Sequence, residues 1–187
     1  MSEEEVNQDD KSTYQPPKVK SLDEIKSLDV DDESLRKYKE ILLGNATTEP
    51  TFPDDSRICI PVGIKVVSSD KVLTEFNIKD ATKEKPIVEL TEGSKYHLEL
   101  QFYVQREICC GVKFVHQVNK GVLKVDKDVI MLGSFAPKPD LQTWISPECE
   151  APKGMLFRGQ YNVTSTFEDD DKNKHASFEW ILKIVKG

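Results

Sequence analysis

The 187-residue sequence predicts an all-β sandwich preceded by a flexible, acidic N-terminal arm that carries short helices. Three observations predict this. From Arg57 onward, apolar residues recur at period two in several stretches, as they do in half-buried strands. Turn signals break these stretches at Glu92-Gly93, Lys120-Gly121, Pro152–Gly154 and Asp169–Lys172. Helical grammar is confined to the first 44 residues. Many short strands with little helix argue for two packed sheets.

The elements follow in order. Residues 1–20 are polar, contain Pro16 and Pro17, and read as a disordered acidic tail. Residues 21–55 form an arm and linker. Ser21 and Glu24 make a capping box for a short helix to about Leu28. In DVDDESLRKYKEILLG (29–44), Asp31 or Asp32 can cap a second helix that stops at Gly44. Leu35, Tyr38 and Leu42 share one face of it, and Asp32 and Glu33 sit where the helix dipole favours negative charge. NATTEPTFPDDS (45–56) reads as linker. Both helices are shorter than the ~12–15 residues at which isolated helices become marginal, so they are expected to order on a partner.

Residues 56–187 form the sandwich. Ile58, Ile60, Val62, Ile64 and Val66 alternate, with Pro61 and Gly63 marking an edge or a bulge. Val72–Ile78 is a further strand. Tyr96, Leu98, Leu100, Phe102 and Val104 alternate against polar neighbours. Stretches 110–118, 121–131 and 156–167 follow. The last strand, 175–185, sets Ala176, Phe178, Trp180, Leu182 and Ile184 on one face.

Charge separates arm from sandwich. Of 33 acidic and 26 basic residues, 15 and 7 lie at or before Asp55, leaving 18 and 19 beyond it. An acidic chain suits a basic partner and not a phosphate backbone, so nucleic acid is not expected. MSEEEVNQDD lacks the pattern of a signal peptide, and no apolar run approaches the ~20 residues of a membrane span, which predicts a cytoplasmic protein. Cysteines 59, 109, 110 and 149 form no CxxC. Adjacent Cys109 and Cys110 would point to opposite faces of a strand and cannot share one site. His97, His116 and His175 lack metal-ligand spacing, and no nucleotide-binding or hydrolase motif is present. Asp169–Asp171 lacks the glycine and distal glutamate of a calcium loop and reads as a solvated hairpin. An enzyme is not expected, nor a cofactor or metal. The Phe178/Trp180 face is core in most sandwiches, but a sandwich can also open between its sheets for an apolar ligand, and periodicity cannot distinguish the two.

Several long motifs carry a resemblance. YQPPKVKSLDEIKSL (14–28) and DDESLRKYKEILLG (31–44) are followed in order by REICCG (106–111), VDKDVIMLGSFAP (125–137), EAPKGML (150–156) and FEDDDKNKHASFEW (167–180). Together they resemble the Rho GDP-dissociation inhibitor family from Tyr14 onward. The resemblance implies an immunoglobulin-like sandwich behind a helical arm. It implies binding of a prenylated, GDP-bound Rho-family GTPase as a 1:1 heterodimer, slowed GDP release, and competition with the membrane for the geranylgeranyl chain.

By the same resemblance, Asp32 matches the arm carboxylate that contacts the GTPase switch. Ile25, Leu28, Ser34, Leu35, Tyr38 and Leu42 accompany it. Asp170 and Asp171 match acids that contact the GTPase body. Val66, Val88, Tyr96, Leu98, Ile108, Ile130, Val163, Phe178 and Trp180 fall on prenyl-pocket positions. Glu148 and Glu150 could attract a basic tail. Val88 and Phe178 stand where close relatives are usually aromatic. Ile87 and Gln160 replace serines phosphorylated in relatives, whereas Ser21 keeps a third such position. The alternative from another class is a general prenyl-protein carrier without inhibition of exchange, and the arm is what discriminates the two.

Overall fold

The computed structural model describes residues 32–34, 37 and 49–187. Ten strands pair into two sheets. The first sheet runs β2 (Lys71–Asn77), β1 (Cys59–Ser68), β4 (Lys95–Val104), β7 (Lys138–Ile145), with the short β8 (Cys149–Glu150) also on β4. The second runs β3 (Ile87–Thr91), β10 (Lys174–Val185), β9 (Gly159–Glu168), β5 (Cys109–Lys120), β6 (Leu123–Phe135). All pairs are antiparallel except β10 with β3. The predicted sandwich is therefore the observed architecture.

Strand β1 settles the question posed by Pro61 and Gly63. It lies inside its sheet, between β2 and β4, and its register on β4 slips between Pro61 and Gly63. The extra residue of that bulge resets the alternation, so that Cys59 before it and Ile64 and Val66 after it all reach the core. A strict period-two reading from Ile58 to Val66 therefore fails halfway. Strands β3 and β7 lie outside the predicted set. A four-residue helix, α1 (Ile78–Ala81), replaces the expected end of β2; Asn77 caps it by accepting from the Lys79 amide at 2.8 Å, and Ile78 and Ala81 are buried.

The space between the sheets is filled at one end by aromatic rings. Phe114 packs on Phe167 with centroids 4.5 Å apart and stacks on Phe178 at 6.3 Å, while Phe102 meets Phe135 edge-on at 4.8 Å. Buried Gln105 fastens the incoming chain at this end. Its side chain accepts from the Phe52 amide at 3.0 Å and donates to the carbonyls of Asp55 and Arg57 at 2.6 and 2.9 Å. At the β9–β10 turn, the Asp170 amide donates to the Cys110 carbonyl at 3.1 Å. The Asp170 carboxylate lies over Gly111, which adopts φ +59°; a Cβ there would collide with it.

Candidate functional site

At the other end of the sandwich the sheets stay apart and enclose an open cavity of about 500 Å³. That lies within the ~300–1,000 Å³ common for small-molecule sites. The cavity begins where the phenylalanine-filled core ends along the strands. On β10, Phe178 belongs to the filled end, whereas Trp180, Leu182 and Ile184 on the same face line the cavity. On β4, Phe102 and Val104 are core, whereas Tyr96 and Leu98 line the cavity.

Seven of the nine residues matched to a prenyl pocket converge here: Val66, Tyr96 and Leu98 from the first sheet, and Val88, Ile130, Val163 and Trp180 from the second. Two do not. Phe178 is 3% exposed and fixed between Phe114 and Phe76. Ile108 precedes β5, about 26 and 33 Å along the strand from the cavity-lining His116 and Val118 at ~3.3 Å per residue. Neither lines the space. Leu90, Val118, Tyr161, Leu182 and Ile184 do, and had not been assigned to it. For Leu182 and Ile184 the signal was present in the alternation of β10.

The mouth is apolar with an acidic rim. Met155–Phe157 form a 3-10 turn whose side chains are exposed, Leu156 to 83%. Two bonds hold this lip over the opening. Lys120 donates to the Leu156 carbonyl at 3.2 Å, and the Tyr161 hydroxyl donates to the Phe157 carbonyl at 2.7 Å. Asp126, Asp128 and Glu150 line the rim. Glu148 is instead paired with Lys95 at 2.6 Å. The two rim aspartates lie within VDKDV (125–129), where the sequence reading assigned no role.

Polar groups inside the cavity are few and satisfied. Ser165 accepts from the Trp180 indole N–H at 2.7 Å and shares a hydrogen bond with His116 Nδ1 at 2.8 Å. Burial pushes the His116 pKa down to about 4, against an opposing pull from Asp128. Burial likewise pushes the Tyr96 phenol up to about 12, so both are neutral at physiological pH. A folded-state pKa below the ordinary value of 6.5 means stability that is full above pH 6.5 and lost as pH falls toward 4. At ~1.4 kcal/mol per unit the loss reaches about 3 kcal/mol. His175 runs the other way: burial lowers its pKa, but Cys109 and Asp169 raise it more. Urea unfolding at pH 7 and pH 4.5 is therefore expected to show a smaller acid loss in His116→Gln than in the unsubstituted chain. An equal loss in both would contradict it.

The other predicted contacts lie elsewhere. Asp170 and Asp171 are exposed in the β9–β10 turn, at the filled end. Asp169 departs from the solvated hairpin expected of it. It is 3% exposed and accepts from Asn173 and His175. Of the arm, Asp32 and Ser34 are described. Asp32 accepts from the Ser34 amide at 2.9 Å, Glu33, Ser34 and Lys37 are helical, and Lys37 pairs with Glu33 at 2.8 Å. Asp32 thus acts as the helix cap. Ile25, Leu28, Leu35, Tyr38 and Leu42 lie outside the described residues. Cys109 is buried and Cys110 exposed, on opposite faces as expected. Hydrogen bonding to Cys59 and burial raise the Cys109 thiol pKa, and burial raises that of Cys110, which leaves neither poised as a nucleophile. Among the described residues no helix is long and apolar enough to cross a membrane.

Comparisons with known proteins converge. The family profile described as RHO protein GDP dissociation inhibitor matches residues 1–187. Rho GDP-dissociation inhibitor 1 of Homo sapiens is 43% identical over 180 residues, covering 92% of this chain and 85% of that protein. The probable rho GDP-dissociation inhibitor of Caenorhabditis elegans is 37% identical over 191 residues, covering both chains completely. Among solved structures, a Niemann-Pick type C2 protein from Japanese carpenter ant has 13% identity and a TM-score of 0.47, covering 74% of this chain and 99% of that one. A likeness of that size carries no functional weight. The match along the whole chain and the relatives above one-third identity establish that this chain belongs to the Rho GDP-dissociation inhibitor family.

Proposed function

We propose that this protein inhibits GDP dissociation from a Rho-family GTPase and keeps the GTPase off membranes by sheltering its prenyl chain. The observation that carries the reading is the open apolar cavity between the sheets, in a chain of this family. The partner is a prenylated, GDP-bound GTPase, held 1:1 in the cytoplasm. The protein acts as a regulator and performs no chemistry of its own.

The energetics assign separate tasks to cavity and arm. Burying a prenyl chain gains ~0.8 kcal/mol per CH₂, and leaving the bilayer costs a similar amount. The cavity alone therefore roughly breaks even. Asp126, Asp128 and Glu150 at the mouth favour a basic segment next to the lipid, in competition with anionic headgroups worth ~1 kcal/mol per Lys or Arg. The arm supplies the remaining affinity. If it binds the GDP-bound switch conformation better than the open one, linkage requires that nucleotide release slow down. Ile25, Leu28, Leu35, Tyr38 and Leu42 would provide its apolar face, and Asp32 and Ser34 its polar end. Asp170 and Asp171 would meet the GTPase body.

Trp180 provides the test of the cavity. Its indole lines the space, so a geranylgeranylated C-terminal peptide is expected to shift its emission saturably, while the unmodified peptide is not. No response at saturating lipidated peptide would mean that the cavity does not take the chain. The arm is tested by separating Asp32's two roles. Asp32→Ala removes both the cap, worth ~1 kcal/mol, and the charge, whereas Asp32→Asn keeps a good cap and loses only the charge. Both are expected to weaken GTPase binding about tenfold or more in calorimetric titration, with the sandwich still folded. Full affinity in Asp32→Asn would reduce Asp32 to a helix cap.

A further inference from the structure

The filled end of the sandwich contains a second constellation that lipid sheltering does not use. Cys109, Asp169 and His175 are each at least 96% buried, and their ligand atoms all lie within 4.8 Å of one another. His175 Nε2 is 3.0 Å from Asp169 Oδ2 and 3.6 Å from Cys109 Sγ. We propose that Cys109, His175 and Asp169 bind one zinc ion, with the fourth position left to a solvent molecule.

The donor set selects the metal. One sulfur, one imidazole nitrogen and one carboxylate oxygen suit a borderline-soft ion with tetrahedral preference, and exclude calcium and magnesium, which take oxygen ligands. Bonds of ~2.3 Å to sulfur and ~2.0–2.2 Å to nitrogen and oxygen at tetrahedral angles place neighbouring ligand atoms about 3.3–3.8 Å apart. The Cys109–His175 separation falls in that range. The shorter His175–Asp169 separation is that of a hydrogen bond, whose proton the metal would replace. Binding releases the Cys109 thiol proton to solvent and moves the imidazole proton from Nε2 to Nδ1.

The ligands are already braced. The Asn173 amide and side chain donate to the two Asp169 oxygens at 2.8 and 2.9 Å, and the Arg57 guanidinium donates to the His175 carbonyl at 2.9 Å. Such outer partners orient metal ligands. The ion would tie β5 to β10 and to the β9–β10 turn. It would thereby fix the turn that presents Asp170 and Asp171.

Cobalt(II) is the probe, added to the reduced, chelator-stripped full chain and then displaced by zinc. The expected result is one equivalent of tetrahedral visible bands with a near-ultraviolet thiolate charge-transfer band. Cys109→Ser is expected to abolish the charge-transfer band or weaken binding at least tenfold, and Cys110→Ser to leave both unchanged. Asn173→Ala, which removes no ligand, is expected to weaken binding ~10–100-fold and serves if Cys109→Ser fails to fold. A spectrum remaining that of the hydrated ion would overturn the proposal. So would bands that survive Cys109→Ser or Asn173→Ala at full strength, since the signal would then arise elsewhere. In either case the three groups would be only a hydrogen-bonded core corner.

Discussion

Ile130→Trp is expected to reduce extraction of a prenylated Rho GTPase from liposomes by roughly 100-fold. Ile130 is half-buried on the edge strand β6 and faces the cavity. An indole there would occupy the room of about four chain carbons. At ~0.8 kcal/mol per CH₂ the lost burial is about 3 kcal/mol, slightly over two factors of ten. The substitution leaves the arm's sequence unchanged, so binding of the unprenylated GTPase is expected to stay within about twofold. The split between the two ligands is the informative quantity. Equal weakening of both would mean that the fold had been damaged, and unchanged extraction would mean that the chain goes elsewhere.

Phe114→Ala is expected to destabilise the sandwich by ~3–5 kcal/mol in urea unfolding. Phe114 is fully buried and meets Phe167, Phe178 and His116 with centroids 4.5, 6.3 and 4.2 Å away. It is the ring that closes the filled end against the open one, so truncation would leave a void continuous with the open cavity. A loss below about 1 kcal/mol would contradict this account of the core. If the variant folds, a prenylated ligand is expected to restore part of the stability, because it binds the folded state alone.

The sandwich was legible because its two best strands are half-buried. Along β4 and β10 a polar residue alternates with an apolar one, and that is what a two-layer fold requires. Strand β7 escaped because its apolar Leu141 and Ile145 face outward, while on the inward face Lys138, Asp140 and Gln142 leave only Trp144 to pack against the core. Strand β3 escaped because five residues pairing in parallel at an edge carry only Val88 and Leu90 inward. In β1 the bulge shifts the phase within the strand, which no fixed period can follow. The cavity was legible only as a possibility. Phe178 and Trp180 share one face, yet one is core and the other lines the cavity, and the difference depends on what the opposite sheet presents. All nine pocket positions came from the family resemblance and not from periodicity, and seven of them line the cavity. The cysteine–histidine–aspartate corner was beyond any spacing rule, since Cys109 and His175 are 66 residues apart and meet only across strands.

The central claim is that one molecule both shelters the lipid and restrains the nucleotide. The release of a fluorescent GDP analogue from a geranylgeranylated Rho GTPase, followed with and without an equimolar excess of this protein, tests it most directly. The predicted result is release slowed at least tenfold, with the GTPase recovered from vesicles into solution in the same reaction. Removal of residues 1–44 is expected to abolish the slowing. Release at the unassisted rate while the GTPase nevertheless leaves the vesicles would contradict the account and make the protein a lipid carrier.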